Sequence, residues 1–349
     1  MSALSTGVVG FSRSRSPAVR LMRGALATIV AAALVGSAAV ARAADEEDDT
    51  KPQDITLKTK DGVELRTTFY PTILKKKAEK KEAVPLILLH AWKGDRGDCA
   101  ALANYLQSLG HAVITPDLRG HGDSKTQVLP NGERIALEAN TLRLDDFKAM
   151  CYAYGDLEAV KAFLLKRHND AELNIDRLGV VGAEMGASVA IIWSALDWAW
   201  PVLATGKQGQ DVKALVLISP PEPNFKSLNI TQGLQMPPDA PVGRELSLLI
   251  AVGKAKGNKV YKDTLKLEQT IKPYHPEPPP DEVSTRKTLF FQPYETSLQG
   301  TKLLSEGMKQ LDDPKATIRL PQHIAKFIEY RLQNLKIEWE ERKDPLQGK

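Results

Sequence analysis

The stretch LGVVGAEMGA, residues 178–187, decides how the rest of this sequence is interpreted. Val180 and Val181 form an apolar β-branched run, which a glycine-hinged turn and a run of small residues typical of a packed helix follow directly. This order is the layout of a nucleophile elbow, G-x-S-x-G, in which a sharp strand-to-helix turn raises one side chain above a parallel sheet. Glu184 occupies the apex where the pattern has serine. The function of the chain therefore depends on this substitution.

The first 43 residues predict a secretory signal peptide. Four arginines precede an apolar run over residues 25–40, and Ala41-Arg42-Ala43 forms an A-x-A cleavage site. The alternative is an uncleaved membrane anchor, because the run is just short of the ~20 residues needed to span a bilayer. We expect cleavage near Ala43 and export to a periplasmic or extracellular location. Residues 44–53 would then form an acidic linker.

Charge and cysteine content limit the classes of partner. Loss of the leader would remove five arginines and no acid, so the net charge would fall from +4 to −1. We expect no nucleic acid partner from this balance, and no membrane contact after cleavage. The two cysteines, Cys99 and Cys151, could form a disulfide or be two partly buried side chains. Neither lies near a histidine at ligand spacing, so we expect no metal and no cofactor.

The rest of the chain alternates strand and helix patterns, which predicts one domain over residues 54–336. Asp61-Gly62 separates two alternating runs, as in an antiparallel hairpin. Residues 84–89 are continuously apolar, as in a strand buried on both faces. One long helix is predicted over residues 145–167. The pattern predicts an α/β fold with a doubly wound, mostly parallel sheet, helices on both faces and the hairpin at its edge. We expect residues 337–349 to be a charged, solvated tail.

Three stretches together resemble a known superfamily. His90-Ala91-Trp92-Lys93-Gly94 follows a predicted strand, residues 111–124 read HAVITPDLRGHGDS, and the elbow lies some sixty residues further along. In this order they are similar to the α/β-hydrolases, in particular the lid-poor serine-esterase and serine-aminopeptidase-like branches. The resemblance covers about residues 54–333. It implies the α/β-hydrolase fold and, where the active site is complete, hydrolysis of esters or peptides.

The resemblance also implies where a catalytic triad would lie, in the chain order nucleophile, acid, histidine. It places Glu184 at the nucleophile position, Lys256 at the acid position in a G-x-x-D turn, and Gln299 at the histidine position. All three residue types are therefore predicted to be replaced. Glutamine cannot accept and return a proton, so a serine-type reaction would lack its base. We expect His90 and His121 to be structural rather than substitutes for that base.

The oxyanion-hole donors implied by the resemblance are the backbone N–H groups of Trp92 and Met185. We expect the Glu184 carboxylate to occupy both donors and block the hole. We also expect Glu184, Lys256 and Gln299 to form a hydrogen-bonded polar cluster. The alternatives are a solvated Glu184 in an unused cleft and a working carboxylate.

Two functions from different classes follow. The preferred hypothesis is an exported pseudo-hydrolase with a degenerate catalytic triad, which binds a small molecule, peptide or partner protein in the former active-site cleft or acts as a scaffold. The alternative is an ester or acyl hydrolase with Glu184 as an unusual nucleophile or base, as aspartate can be in this fold. An ester on Glu184 would still need a base to activate water. The sequence does not name the ligand, because specificity resides in loops and cleft shape.

Overall fold

The computed structural model of the chain describes residues 50–152, 154–203, 206–221 and 224–342. The predicted signal peptide, residues 44–49 of the predicted linker and residues 343–349 of the predicted tail lie outside this part. The strands are β1 (Gln53–Lys58), β2 (Glu64–Tyr70), β3 (Pro85–Leu89), β4 (Ala112–Pro116), β5 (Thr126–Val128), β6 (Arg134–Ala136), β7 (Leu178–Ala183), β8 (Val212–Ile218), β9 (Asn224–Phe225), β10 (Leu228–Asn229), β11 (Ser247–Gly253) and β12 (Leu289–Tyr294). The helices are α1 (Lys77–Lys80), α2 (Ala100–Ser108), α3 (Leu144–Cys151), α4 (Asp156–Asn169), α5 (Met185–Ala199), α6 (Ile230–Leu234), α7 (Val242–Glu245), α8 (Lys259–Ile271), α9 (Val283–Arg286), α10 (Gly300–Lys309) and α11 (Leu320–Ile328).

Eight of these strands form one sheet in the order β1-β2-β4-β3-β7-β8-β11-β12. β1 and β2 are an antiparallel hairpin in which Lys58 lies opposite Glu64, and β2 also pairs antiparallel with β4. Every pair from β4 to β12 is parallel. The predicted doubly wound, mostly parallel sheet with a hairpin at its edge is confirmed.

Apolar side chains cover both faces of this sheet, because its central strands have no polar face. In β3, Ile87 packs into the core on one side of the sheet and Leu88 into the core on the other. In β7, Val180 and Val181 divide in the same way, since successive side chains of a strand point to opposite faces. Helices α4 and α5 cover the first side, whereas α2, α10 and α11 cover the second.

The single long helix predicted over residues 145–167 is in fact two helices, α3 and α4. Tyr152 leaves α3 in an extended conformation (φ −75°, ψ 165°). A Cβ on Gly155 would lie 1.4 Å from a carbonyl oxygen of α3, so the chain turns back closely here. The break brings the buried carboxylate of Asp156 to Arg119, whose backbone N–H and Nε donate to it at 2.8 and 2.9 Å. The helical pattern could not reveal this partner, 37 residues away.

Residues 337–342 do not form the expected solvated tail. Trp339 Nε1 donates to the carbonyl oxygen of His168 at 3.1 Å. Arg342 Nη1 donates to Asp211 Oδ1 at 2.6 Å. The segment packs as irregular backbone on the domain, because its charged and aromatic side chains have partners that are distant in the sequence.

Cys99 and Cys151 are both buried free thiols. Cys99 belongs to the core on the α2 side of the sheet and Cys151 to the core on the α5 side. The sheet therefore separates the two sulfur atoms, and they do not form a disulfide. Within the described ranges, no helix has the length and apolar character needed to cross a membrane.

Candidate functional site

The turn between β7 and α5 has the geometry of an elbow. Glu184 is the single residue between the two elements and adopts φ 49°, ψ −113°, a region that residues with side chains rarely occupy. The flanking glycines leave no room for side chains. A Cβ on Gly182 would lie 2.3 Å from the carbonyl oxygen of Gly186, and one on Gly186 would lie 2.5 Å from that of Leu89. The glycine spacing in the sequence is therefore a steric requirement of this turn.

The Glu184 side chain extends from the apex toward the start of α10. Its carboxylate lies against the backbone of Gly300, where an added Cβ would be 1.9 Å from Glu184 Oε1. Burial raises the pKa of the Glu184 carboxyl, the Lys302 ammonium opposes that rise, and the Asp98 carboxylate adds to it. No hydrogen bond from a described residue contributes to this shift. The site therefore favours the neutral carboxyl more than water does.

Gln299 is held by a network that does not include Glu184. Its Oε1 accepts from Ser219 Oγ at 2.7 Å, and its Nε2 donates to the carbonyl oxygen of Gly253 at 2.8 Å. Ser219 Oγ in turn accepts from the backbone N–H of Gly300 at 2.9 Å. These bonds join the carboxyl ends of β8 and β11 to the start of α10. Both polar ends of the Gln299 amide are consequently engaged away from the elbow.

Lys256 is exposed and does not line the cleft that contains Glu184. The predicted cluster of three residues is therefore wrong. The chain turns outward after β11, because Gly257 has φ 79° and the Asn258 side chain caps the first turn of α8. Lys302, three residues after the predicted histidine position, is the cation that acts on the Glu184 carboxylate.

The backbone N–H groups predicted as oxyanion donors have no hydrogen-bond acceptor among the described residues. Trp92 lines the cleft, and Met185 begins α5, whose positive dipole end lies there. The expectation that Glu184 would occupy both donors is wrong, because its carboxylate is turned toward Gly300. The Glu184 carboxylate therefore blocks neither of these N–H groups.

None of the six histidines, all of which lie in the described ranges, lines this cleft. His90 is fully buried in the loop after β3, where its Nδ1 donates to the carbonyl oxygen of Ala91 and its Nε2 accepts from the backbone N–H of Leu118. Burial lowers the pKa of His90 to about 4, so the ring is neutral at pH 7. Burial also lowers the pKa of His121. Neither ring is placed to act as a base at Glu184.

Glu184 and Gln299 share one cleft of about 640 Å³ at the carboxyl edge of the sheet. It is lined by residues 91–95, Asp98, Glu184, residues 297–299, Thr301 and Lys302. Asp98, Ser219 and Lys302 were not identified from the sequence. Ser219 had one usable signal, because it directly follows a parallel strand at the edge where sites form in such sheets. No group of three metal-binding side chains occurs among the described residues.

Comparisons with known proteins agree with this geometry. A family model described as alpha/beta hydrolase fold matches residues 84–240. The Pyrococcus furiosus esterase Pf2001, in two crystal forms, is similar at 14% and 13% identity with TM-scores of 0.50 and 0.51. These alignments cover 82% of this chain and 95% and 94% of the esterase chain. The chain has the α/β-hydrolase fold.

Two further solved structures match with lower TM-scores. A lidless serine hydrolase from Xanthomonas campestris, XC6422, is 17% identical with a TM-score of 0.41, over 70% of this chain and 84% of its own. Porphyromonas gingivalis dipeptidyl peptidase 4 is 15% identical with a TM-score of 0.49, over 81% of this chain and 36% of its own. No curated protein matches the chain. Identities this low show the fold alone, so the function has to be argued from the site.

Proposed function

We propose that this protein is a catalytically degenerate α/β-hydrolase that binds a ligand in the Glu184 cleft without a serine-type reaction. In this proposal Glu184, Lys256 and Gln299 stand where the nucleophile, acid and histidine of a triad once stood. The observation that carries it is that the cleft contains no histidine, while the amide of Gln299 is held by Ser219 and Gly253. An elbow without a base cannot complete an acyl-transfer cycle.

The cleft is suited to a small molecule or peptide that carries a carbonyl group. In this proposal the N–H groups of Trp92 and Met185, which have no acceptor among the described residues, donate to the carbonyl oxygen of the ligand, as oxyanion donors do. Lys302 and Asp98, which line the cleft together with Glu184, offer charges of both signs to polar groups of the ligand. The N–H groups of Trp92 and Met185 can hold a carbonyl group, but Glu184 at the apex of the elbow has no base to assist it. This combination supports binding of a ligand rather than its turnover.

Hydrolysis of p-nitrophenyl butyrate by the purified protein and by Glu184→Ala tests this proposal. We expect the two to be equally weak, because oxyanion donors and binding alone can leave a roughly 10³–10⁴-fold acceleration over water in triad-less enzymes. Turnover that clearly exceeds this level in the wild type and disappears in Glu184→Ala would contradict the proposal. N-acetylated dipeptide amides, titrated by calorimetry, then test carbonyl binding, with Lys262→Ala, at an exposed residue of α8 outside the cleft, as a control variant.

The alternative function is ester or acyl hydrolysis with Glu184 as nucleophile or base. One observation favours it: burial raises the pKa of Glu184, and a carboxylate with a raised pKa is a better general base. Lys302 works against this shift. Covalent labelling of Glu184 by an epoxide ester, located by peptide mass spectrometry, would favour the alternative.

We further propose that the protein is exported. The support is the order of arginines, apolar run and A-x-A site in the first 43 residues. N-terminal sequencing of protein recovered from its native cells would start at Ala44 if the leader is cleaved as expected. A start near Met1 in a membrane fraction would instead favour the anchor.

A further inference from the structure

A second concavity lies between α8 and the segment containing α6 and α7. It measures about 500 Å³ and shares no lining residue with the Glu184 cleft. We call it the α8 groove, and its apolar walls include Ile230, Leu234, Leu267, Ile271 and Tyr274. Its volume is within the range of small-molecule sites in proteins.

The lining residues of α8 divide the groove into an inner and an outer edge. At 100° per residue, Leu267 lies near the middle of the lining arc, with Thr264 and Lys266 on opposite sides of it. Thr264 is 1% exposed, whereas Lys266 is exposed. Thr264 therefore forms the buried inner edge of the groove, and Lys266 forms its exposed outer edge.

The hydroxyl of Thr264 has no hydrogen-bond partner among the described residues. Threonine in a helix commonly donates to the carbonyl four residues earlier. Thr270, on the same helix and in the same groove, does so with Lys266 at 2.9 Å. Buried polar groups without a partner are uncommon in folded proteins. A ligand oxygen at the inner edge would supply the missing acceptor.

The side chains that line the groove carry an excess of positive charge. Asp263, the one carboxylate among the described residues that line it, is paired with Lys259 at 2.8 Å. Arg244 stacks on Tyr274, with its guanidinium carbon 4.1 Å from the ring centroid. Neither Arg244 nor Lys266 has a carboxylate within ion-pair distance in the part of the chain that the structure describes. The contact with the Tyr274 ring holds the Arg244 guanidinium in a position where it can pair with an anion.

We propose that the α8 groove binds an aliphatic carboxylate that carries a second oxygen on its chain, a hydroxy fatty acid in chemical class. Its hydrocarbon chain packs between Leu234 and Leu267, and its carboxylate pairs with Arg244 and Lys266. The chain oxygen accepts a hydrogen bond from Thr264 Oγ1. This site is independent of the Glu184 cleft and of the function proposed for that cleft.

Isothermal titration of the full chain with 10-hydroxydecanoate tests the site. We expect binding that is at least tenfold tighter than that of decyltrimethylammonium, because the groove presents cations. The double variant Arg244→Met, Lys266→Met should weaken binding at least tenfold. Lys262→Met, which removes an exposed lysine of α8 outside the groove, should leave it unchanged. No binding, or equal binding of the cationic probe, would overturn the proposal.

Thr264→Val tests the inner edge, since valine keeps the shape of threonine and removes the hydroxyl. We expect the wild type to bind 10-hydroxydecanoate at least threefold more tightly than decanoate, and Thr264→Val to abolish this preference. A preference that survives in Thr264→Val would overturn the role of this hydroxyl. Glu184→Ala should bind 10-hydroxydecanoate as the wild type does, and a loss there would place the ligand in the cleft instead.

Discussion

At the scale of single residues, the Glu184 side chain fits the space left by the missing side chain of Gly300. The glutamate carboxylate occupies the volume that a side chain at position 300 would need, and Gly300 has φ 52°. We expect Gly300→Ala to lower the free energy of unfolding by about 2–4 kcal/mol, from overpacking and backbone strain together. Urea unfolding of the purified variants measures this loss.

Gly257→Ala is the matched control, because Gly257 has φ 79° and a Cβ added there would meet no atom within 4 Å. Gly257→Ala should lower the free energy of unfolding by the backbone strain alone, about 1–2 kcal/mol. In a Glu184→Ala background, Gly300→Ala should cost no more than this control. An equal cost in both backgrounds would show that the carboxylate and Gly300 are not coupled.

The raised pKa of Glu184 predicts a pH dependence of stability. A carboxyl with a raised pKa binds its proton more tightly in the folded state, so its favourable contribution is present below its ordinary pKa and is lost as the pH rises through the folded value. We expect Glu184→Gln to become more stable relative to the wild type as the pH increases from about 4 to 7. Urea unfolding at a series of pH values measures the difference.

Glu64→Gln serves as the control for that pH series, since the hydrogen bond from Arg134 lowers the pKa of Glu64. Its relative stability should change in the opposite direction, falling as the pH rises from acid, because a lowered pKa stabilises the folded state above the ordinary value. Parallel pH curves for the two variants would contradict the assignment for Glu184.

At the level of elements, Ser219 joins β8 to the start of α10. Its hydroxyl donates to Gln299 and accepts from the backbone N–H of Gly300. We expect Ser219→Ala to lower the free energy of unfolding by about 1–3 kcal/mol, because a buried backbone N–H and a partly buried side-chain amide lose a partner. Hydrogen exchange at the Gly300 amide should also accelerate.

Ser227→Ala is the control for this element, since the Ser227 hydroxyl makes one exposed bond, to the carbonyl oxygen of Leu144 at 2.7 Å. It should change the free energy of unfolding by no more than about 0.5–1 kcal/mol. If Ser219→Ala were as mild as this control, the bonds of Ser219 would not hold α10 to the sheet.

For the whole molecule, the segment 337–342 adds a long-range contact between the C-terminal part of the chain and α4. Trp339 contributes its N–H to His168 and its ring to the ammonium of Lys81, 3.8 Å from the ring centroid. We expect Trp339→Ala to lower the free energy of unfolding by about 2 kcal/mol, less than for a fully buried tryptophan. The exposed neighbour Glu338 provides the control, and Glu338→Ala should be close to neutral; equal losses would contradict the docking of this segment.

The sequence by itself determined the sheet, the edge hairpin and the elbow. Each of these depends on local physics: apolar β-branched runs fit buried strands, Asp61-Gly62 fits a tight turn, and Gly182 and Gly186 alone fit the close backbone approaches around Glu184. Each of these features depends on residues that are close together in the sequence. The features could therefore be predicted without coordinates.

The tertiary structure decided which polar groups meet. The sequence predicted that Lys256 would lie beside Glu184. The turn before α8 runs outward, and it is Lys302 that opposes the rise in the pKa of the Glu184 carboxyl. The division of the helix at Tyr152 goes with a bond between Arg119 and Asp156, two residues that are far apart in the sequence. Charged side chains have no periodicity that names their partners, and ion pairs form between whichever groups the folded loops bring within a few ångströms. Only the assembled chain fixes those distances.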